Sequence, residues 1–432
     1  MFSWREPIGP QQANKAFQGL SLPNPVAFIN SVSGQTADHR RSTVARVDSL
    51  KLAPNDHCVN QRRCLLSFVL ALIPQLAVAQ LTESMPLREI ETALQAYPPD
   101  WRHGDKRAKI MASLDRQVTV RVCKEMSDAD RKKLLPVRDF YRRRVDIGLD
   151  KLERTRVTEG VHAFKFYSSS WVFKTKDGSV AVEFSQGPIN NGGKPEERDY
   201  YRSGFYWRPD QRDRLAKLVD VSISTHRHHD HSDYSLAKRM IAAGKPVIVP
   251  AQLKTIWKDL AADLTVPQYD TVQRFGPLEI FTMLGSQFGK NELTGNGRER
   301  RGVPHPDGPH RDSETVVYLF RLAGIVFLTS GENHVPAGDW LKRGAKLGFK
   351  PNVRMSVGQF QGARSIDAVL KNMKPVFRLP LHEYEISHMF GGNRSGHLMI
   401  GSYRKTFERR QMMPMLWGED FLITKQLVEF PR

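Results

Sequence analysis

The hydrophobic and polar positions change character several times along this chain. Residues 1–60 hold no apolar period for the length of a helix, and Pro, Gly, Asn, Gln and Ser are scattered through them. Residues 1–61 therefore read as a disordered segment or a mis-called N-terminal extension. Arg62-Arg63 then leads into an uncharged apolar run, Cys64 to Ala79, which ends Ala77-Val78-Ala79. A basic start, a short apolar core and an Ala-x-Ala end make 62–79 an expected signal peptide. The run is short for a membrane span and Pro74 interrupts it. Export to the periplasm or the medium follows as an expectation, with a true start near Val59.

From 80 to 155 the pattern is helical. Ser84-Met85-Pro86 begins a helix with Leu87, Ile90 and Leu94 on one face, and Pro98-Pro99 ends it. Ser127-Asp128-Ala129-Asp130 resembles a capping box before a long basic helix through about Leu152. From about 156 short strands and turns take over. Strands are expected at 161–167, 170–175 and 179–184, with a tight turn at Lys176-Asp177-Gly178. Asn190 to Arg214 is polar and aromatic, with Tyr200, Tyr201, Phe205, Tyr206 and Trp207, and is long for a connection. It reads as a lid or substrate loop, as does the Gly/Arg-rich stretch Gly285–Gly302, and its aromatics either pack over a substrate or, the commoner case, anchor the loop to the core. A buried-type strand at 218–224 follows, then a helix at 234–243, a strand at 246–249 and a helix at 251–264. Strands and helices alternate from there on, so the class is α/β.

Composition narrows the picture only a little. The 432 residues are 40% hydrophobic and 26% charged, which suits a globular protein with a sizeable core and excludes a multi-span membrane protein. Lys and Arg number 65 against 46 acidic residues, a formal charge of +19. That field favours anionic partners without choosing among them. Cys58, Cys64 and Cys123 are too few for a disulfide scaffold or a Cys-x-x-Cys metal knuckle.

The strongest chemical signal follows the strand at 218–224, as Thr225-His226-Arg227-His228-His229-Asp230-His231. Imidazole and carboxylate suit zinc and similar divalent ions. In an extended turn His226 and His228 point the same way, and Asp230 and His231 follow as the chain enters a helix. Gathered imidazoles repel when protonated and are costly to desolvate, so a metal is the simplest reason to bunch them. Arg227 inside the run reads as solvent-facing, and His229 as a polar loop residue.

His-x-His-x-Asp-His, with the strand before it and the helix after it, resembles the signature of the metallo-β-lactamase fold hydrolases. The resemblance covers roughly residues 160–400. It implies an αββα sandwich with an added N-terminal helical segment, the hydrolase domain running 156–432. It further implies a first metal site of His226, His228 and His310, and a second of Asp230, His231 and His382. Glu332 stands where that family usually places a bridging Asp. His305 is the alternate to His310, and His334 a second candidate beside Glu332, while His388 and His397 line or cap the pocket. The cofactor implied is Zn2+, two ions, with Fe or Mn also suited. The implied chemistry is attack of a metal-bound hydroxide on an ester, lactone, amide or thioester, with Asp230 and Glu332 as catalytic groups. Lowering the pKa of bound water from about 16 towards about 7 supplies that hydroxide at neutral pH. The partner expected is a small, anionic molecule, with no clear nucleic acid and no stable membrane insertion. A phosphodiesterase or nuclease of the same fold is the alternative, and a non-catalytic binding module a third reading. Neither a Gly-x-Ser-x-Gly elbow nor a phosphate-cradling Gly-rich loop stands out.

Overall fold

The structure is a computed structural model. It describes residues 85–118, 128–185, 207–228, 230–286, 314–333, 335–356, 377–381 and 414–429. All of these lie in one compact unit, Val69–Arg432.

Two six-stranded sheets form the centre. The first has the order β12 (Asp420–Ile423), β1 (Val161–Lys165), β2 (Trp171–Thr175), β3 (Gly178–Val182), β4 (Val221–Ile223), β5 (Val247–Ile248). The second runs β11 (Phe377–Pro380), β10 (Val353–Ser356), β9 (Ile325–Thr329), β8 (Glu314–Leu322), β7 (Leu278–Ser286), β6 (Val272–Phe275). Both sheets are mixed: β3, β4 and β5 are parallel, as are β9, β10 and β11, and the remaining pairs are antiparallel.

The inward faces make one apolar layer. Val161, Ala163, Trp171, Phe173, Val180, Val182, Val221 and Ile223 meet Ile280, Val316, Tyr318, Phe320, Phe327, Val353 and Met355. Phe320 and Phe327 stack at its middle with ring centroids 4.9 Å apart, and Phe173 packs tilted against Phe327 at 4.7 Å. The alternate residues Phe164, Val172 and Ala181 face outward into a helical layer. Strands covered on both faces become apolar throughout, which is why these read as near-continuous hydrophobic runs.

That helical layer holds α1 (Leu87–Gln95), α2 (Gly104–Val118), α3 (Asp128–Arg154), α4 (Pro209–Leu218), α5 (Tyr234–Ala242) and α6 (Ala251–Ile256). In α3 the buried residues Val137, Tyr141, Val145, Leu149 and Leu152 recur at intervals of three and four, one stripe of a 3.6-residue helix. The second sheet is covered by α7 (Gly338–Lys346), whose Trp340 and Leu341 pack with Phe281, Leu319 and Leu328. A short α8 (Lys425–Glu429) follows β12. The layers are thus helix, sheet, sheet, helix, the αββα sandwich that the motif implies. Among the described residues no helix is long and apolar enough to cross a membrane, and the apolar run 64–79 lies outside them.

The N-terminal helices are tied to the far end of the chain by buried arginines. Arg107, fully buried, donates to Pro414 O at 2.8 Å and pairs with Glu419, while Arg144 donates to Trp417 O at 2.7 Å and to Glu91 at 2.9 Å. Gly418 makes the close approach feasible. Its φ is +74°, and a Cβ there would lie 2.0 Å from Arg144 O.

The sequence expectations for elements after residue 190 differ from the structure in several places. The stretch 190–214 is not all loop, since Pro209 opens α4, while Trp207 anchors to the core against Phe166 and Phe184 as the commoner reading of its aromatics expects. Proline at the first helical position and Asp210 in the first turn favour that start. The strand expected at 218–224 is therefore shortened to 221–223. The helix expected at 251–264 stops at Ile256, and turns carry Leu260 and Leu264 into the core instead.

Asp420 supplies a pH-dependent tie on the edge strand. His162 and Lys151 face its carboxylate at 3.6 and 2.8 Å and hold its pKa down to about 2. The stabilisation of a depressed carboxylate is full above about pH 4 and is lost as pH falls through about 2. Asp420→Asn is expected to cost about 1–2 kcal/mol at pH 7 and nearly nothing at pH 2, read by denaturant unfolding at the two pH values.

Candidate metal centre

The motif sits where β4 runs out. Parallel pairing of β3 with β4 brings the end of β3 to the same edge, and cross-sheet bonds bring the end of β9 there as well. Val316 N donates to Thr225 O at 2.7 Å, and Tyr318 OH to Ser224 O at 3.0 Å. Thr329 Oγ1 donates to Glu183 Oε1 at 3.0 Å. The edge is therefore built by both sheets.

After Ile223 the chain leaves the sheet as a tight turn, with His231 N donating to His228 O at 2.9 Å and Ser232 Oγ to the same carbonyl at 2.9 Å. Asp233 then caps α5 by accepting from Leu236 N at 3.0 Å. Its other oxygen accepts from the buried Arg212 at 2.9 Å. The turn is held at both ends before any ligand is considered.

Glu183 organises the imidazoles. It is fully buried, at the residue after β3, with φ +54°. Its Oε2 accepts from Thr225 Oγ1 at 2.9 Å and from Thr225 N at 3.3 Å, and lies 2.9 Å from His231 Nδ1. A carboxylate only accepts, so His231 carries its proton on Nδ1 and leaves Nε2 with a lone pair. The Thr225 hydroxyl spends its proton on Glu183, so towards His226 Nδ1, at 2.9 Å, it accepts. His226 is thereby also protonated on Nδ1, and its Nε2 is a donor atom for a cation.

The remaining groups face those nitrogens. Glu332 Oε2 lies 3.7 Å from His226 Nε2 and 3.7 Å from His228 Nδ1, and Asp230 Oδ2 lies 3.7 Å from His231 Nε2. The His226 ring centroid is 4.6 Å from that of His228 and 4.0 Å from that of His231. Separations of 3.7 Å are long for hydrogen bonds. They suit ligands about 2.0–2.2 Å from a shared ion. Donor atoms of His226, His228 and Asp230 all lie within 4.8 Å of one another, as do those of Glu183, His226 and His231. The donor set and its fixed tautomers fit a divalent metal.

Gly331 lets the two sheets close at this point. Its φ is +46°, and a Cβ would fall 2.3 Å from Thr225 Oγ1 and 3.1 Å from His226 Nδ1. Any side chain there would push Glu332 and the motif apart.

The structure thus brings together His226, His228, Asp230, His231 and Glu332. Arg227 is a correction. It is buried, not solvent-facing, within the tight turn in which its carbonyl accepts from Ser232 Oγ at 3.2 Å. His229, His305, His310, His334, His382, His388 and His397 lie outside the described residues. Glu183 went unassigned in the sequence. Its signal was a lone acid ending the otherwise apolar run Val180-Ala181-Val182.

No family model matches the chain, and no curated protein does. Among solved structures it is similar to a possible metal-dependent hydrolase from Veillonella parvula, at 15% identity over 62% of this chain and 100% of that one, TM-score 0.42. It is similar to a metallo hydrolase from the archaeon Ignicoccus hospitalis, at 13% identity over 61% and 98%, TM-score 0.39. A metallo-β-lactamase fold protein from Bacillus subtilis is 13% identical over 58% and 90%, TM-score 0.31. At such values the likenesses accompany the architecture and decide nothing about chemistry.

Glu183→Gln keeps the size of the side chain but turns one acceptor into a donor. It is expected to weaken binding of the first zinc equivalent about 10–100-fold, measured by competition with a chromophoric chelator.

Proposed function

We propose that this chain is a metal-dependent hydrolase of the metallo-β-lactamase type, acting on an ester, lactone, amide or thioester of a small anionic molecule. The observation that carries this reading is the pair of buried imidazoles, His226 and His231, that one carboxylate holds in metal-binding tautomers opposite Glu332 and Asp230. His226, His228, Asp230, His231 and Glu332 would hold the two ions, and zinc, iron and manganese all suit such a set. His310 and His382 would complete the set, with His305 and His334 as alternates. They enter from the sequence alone. When bound, such an ion supplies a Lewis acid that brings the pKa of coordinated water from about 16 towards about 7.

The chain's own residues do the rest. Glu332 Oε2, within 3.7 Å of two imidazole nitrogens, is placed to take a proton from water entering the site. Asp230 is placed to orient that water from the side of His231. Glu183 and Thr225 aim His226 and His231 and hold the proton on Nδ1, so that neither ring has to reorient when the ligand shell forms. The excess of 65 basic over 46 acidic residues favours an anionic substrate.

The test is a hydrolysis screen with lactone, thioester, β-lactam and phosphodiester reporters on zinc-loaded protein. Turnover of an acyl reporter is expected, lost with chelator and lowered by orders of magnitude in His228→Ala, with little change in melting temperature. Full turnover in that variant overturns the assignment, and turnover of the phosphodiester alone moves the chain to the nuclease reading.

Export belongs to the same proposal. Its support is the basic pair Arg62-Arg63, the apolar run to Ala79 and the Ala77-Val78-Ala79 end. N-terminal sequencing of the native protein is expected to begin at Gln80, and a mature chain beginning before residue 60 overturns export by this signal.

A further inference from the structure

Arg212 is a buried cation that the proposed chemistry leaves unused. It lies on α4 and is almost wholly out of water. Its Nε donates to Asp233 Oδ2 at 2.9 Å, and its Nη1 donates to Trp207 O. Asp233 is buried as well, and its other oxygen accepts from Leu236 N in the first turn of α5. A buried ion pair gains little over apolar side chains of the same volume, because both charges must leave water. What this pair supplies is direction, since a guanidinium presents its donors in one rigid plane.

That plane reaches two sides of the metal centre. Asp233 stands two residues beyond His231, where the motif turn enters α5. Trp207 packs its ring against Phe184, with centroids 5.1 Å apart, and Phe184 follows Glu183 in the chain. Arg212 thus joins the exit of the motif to the exit of β3. Glu183 and Thr225 aim the rings of His226 and His231. Asp230 lies between His228 and the Asp233 anchor, with its Oδ2 3.7 Å from His231 Nε2. Helix α4 is in turn fastened to α3. Arg208 and Gln211 bond Asp146 at 3.1 and 2.8 Å, and Arg214 bonds Asp150 at 2.7 Å. The N-terminal helical segment therefore bears on the motif through Arg212.

We infer that Arg212 is a positioning residue for the metal-binding run: through Asp233 it fixes where the turn enters α5, and so sets Asp230 against the imidazoles. This rests on the metallo-hydrolase reading above. It gives the helical segment, which the family resemblance does not require, a part in shaping the ligand set.

The test uses the full chain, stripped of metal and titrated with zinc against a chromophoric chelator. The visible absorption of the cobalt-loaded protein and the thermal unfolding of the metal-free protein are measured alongside. The variant combines Arg212→Met with Asp233→Ser, which removes both charges together while serine keeps the cap of α5. Its metal-free melting temperature is expected within about 4 °C of wild type. Zinc is expected to bind about tenfold or more weakly, with the cobalt bands changed in position or intensity. Wild-type zinc affinity or unchanged cobalt bands in the variant overturn the inference and leave the hydrolase reading standing. A melting temperature lowered beyond that margin also overturns it, since the pair would then be a general support of the fold. A wild-type chain that binds neither zinc nor cobalt overturns the hydrolase reading and the inference with it. If the double variant does not fold, Arg212→Lys, which keeps the charge but not the planar fork, is judged by the same criteria, and failure of both to fold overturns the inference.

Discussion

One buried carboxylate orders the centre of this protein. Glu183 accepts from Thr225, Thr329 and His231, and so joins β3, the β4 exit and the end of β9 at a single point. A carboxylate so deep in a sandwich is tolerable only because its lone pairs are taken up. Those same bonds decide which nitrogen of His226 and of His231 carries a proton. Structural satisfaction and chemical preparation are here one network. A single group both pins the two sheets together and readies the imidazoles for a cation.

The second constraint is space. The sheets can approach at the site because Gly331 has no side chain where Thr225 lies. The residue after it, Glu332, is thereby set within 3.7 Å of both His226 and His228. Farther along the same edge, Lys165 touches carbonyls of both sheets. The edge is thus held by short polar contacts, while the middle of the sandwich is held by packed phenylalanines.

The helical layer is part of the same body. Its buried arginines, Arg107 and Arg144, bond carbonyls of the segment 414–419, some three hundred residues away in sequence, and that segment leads into β12 beside β1. Inside the fold, Arg107, Arg144, Arg212 and Lys165 each have carbonyl or carboxylate partners.

The metal-binding run could be read from sequence because its ligands are neighbours: a strand of period two and a turn place His226, His228, Asp230 and His231 on one edge whatever the rest of the chain does. The α/β class and the strands of β1 to β3 were legible for a similar reason, since apolar runs and Gly turns are local signals. Even the shortening of the 218–224 strand had a local cause in Pro209. Glu183 was not legible, because an acid at a strand end is ordinary until a hydroxyl and an imidazole from elsewhere in the chain arrive beside it. Nor were the burial of Arg227, the need for Gly331 and the inward aim of Lys165. Each depends on how closely two sheets approach, and that distance is set by packing across the sandwich, which no stretch of sequence records by itself.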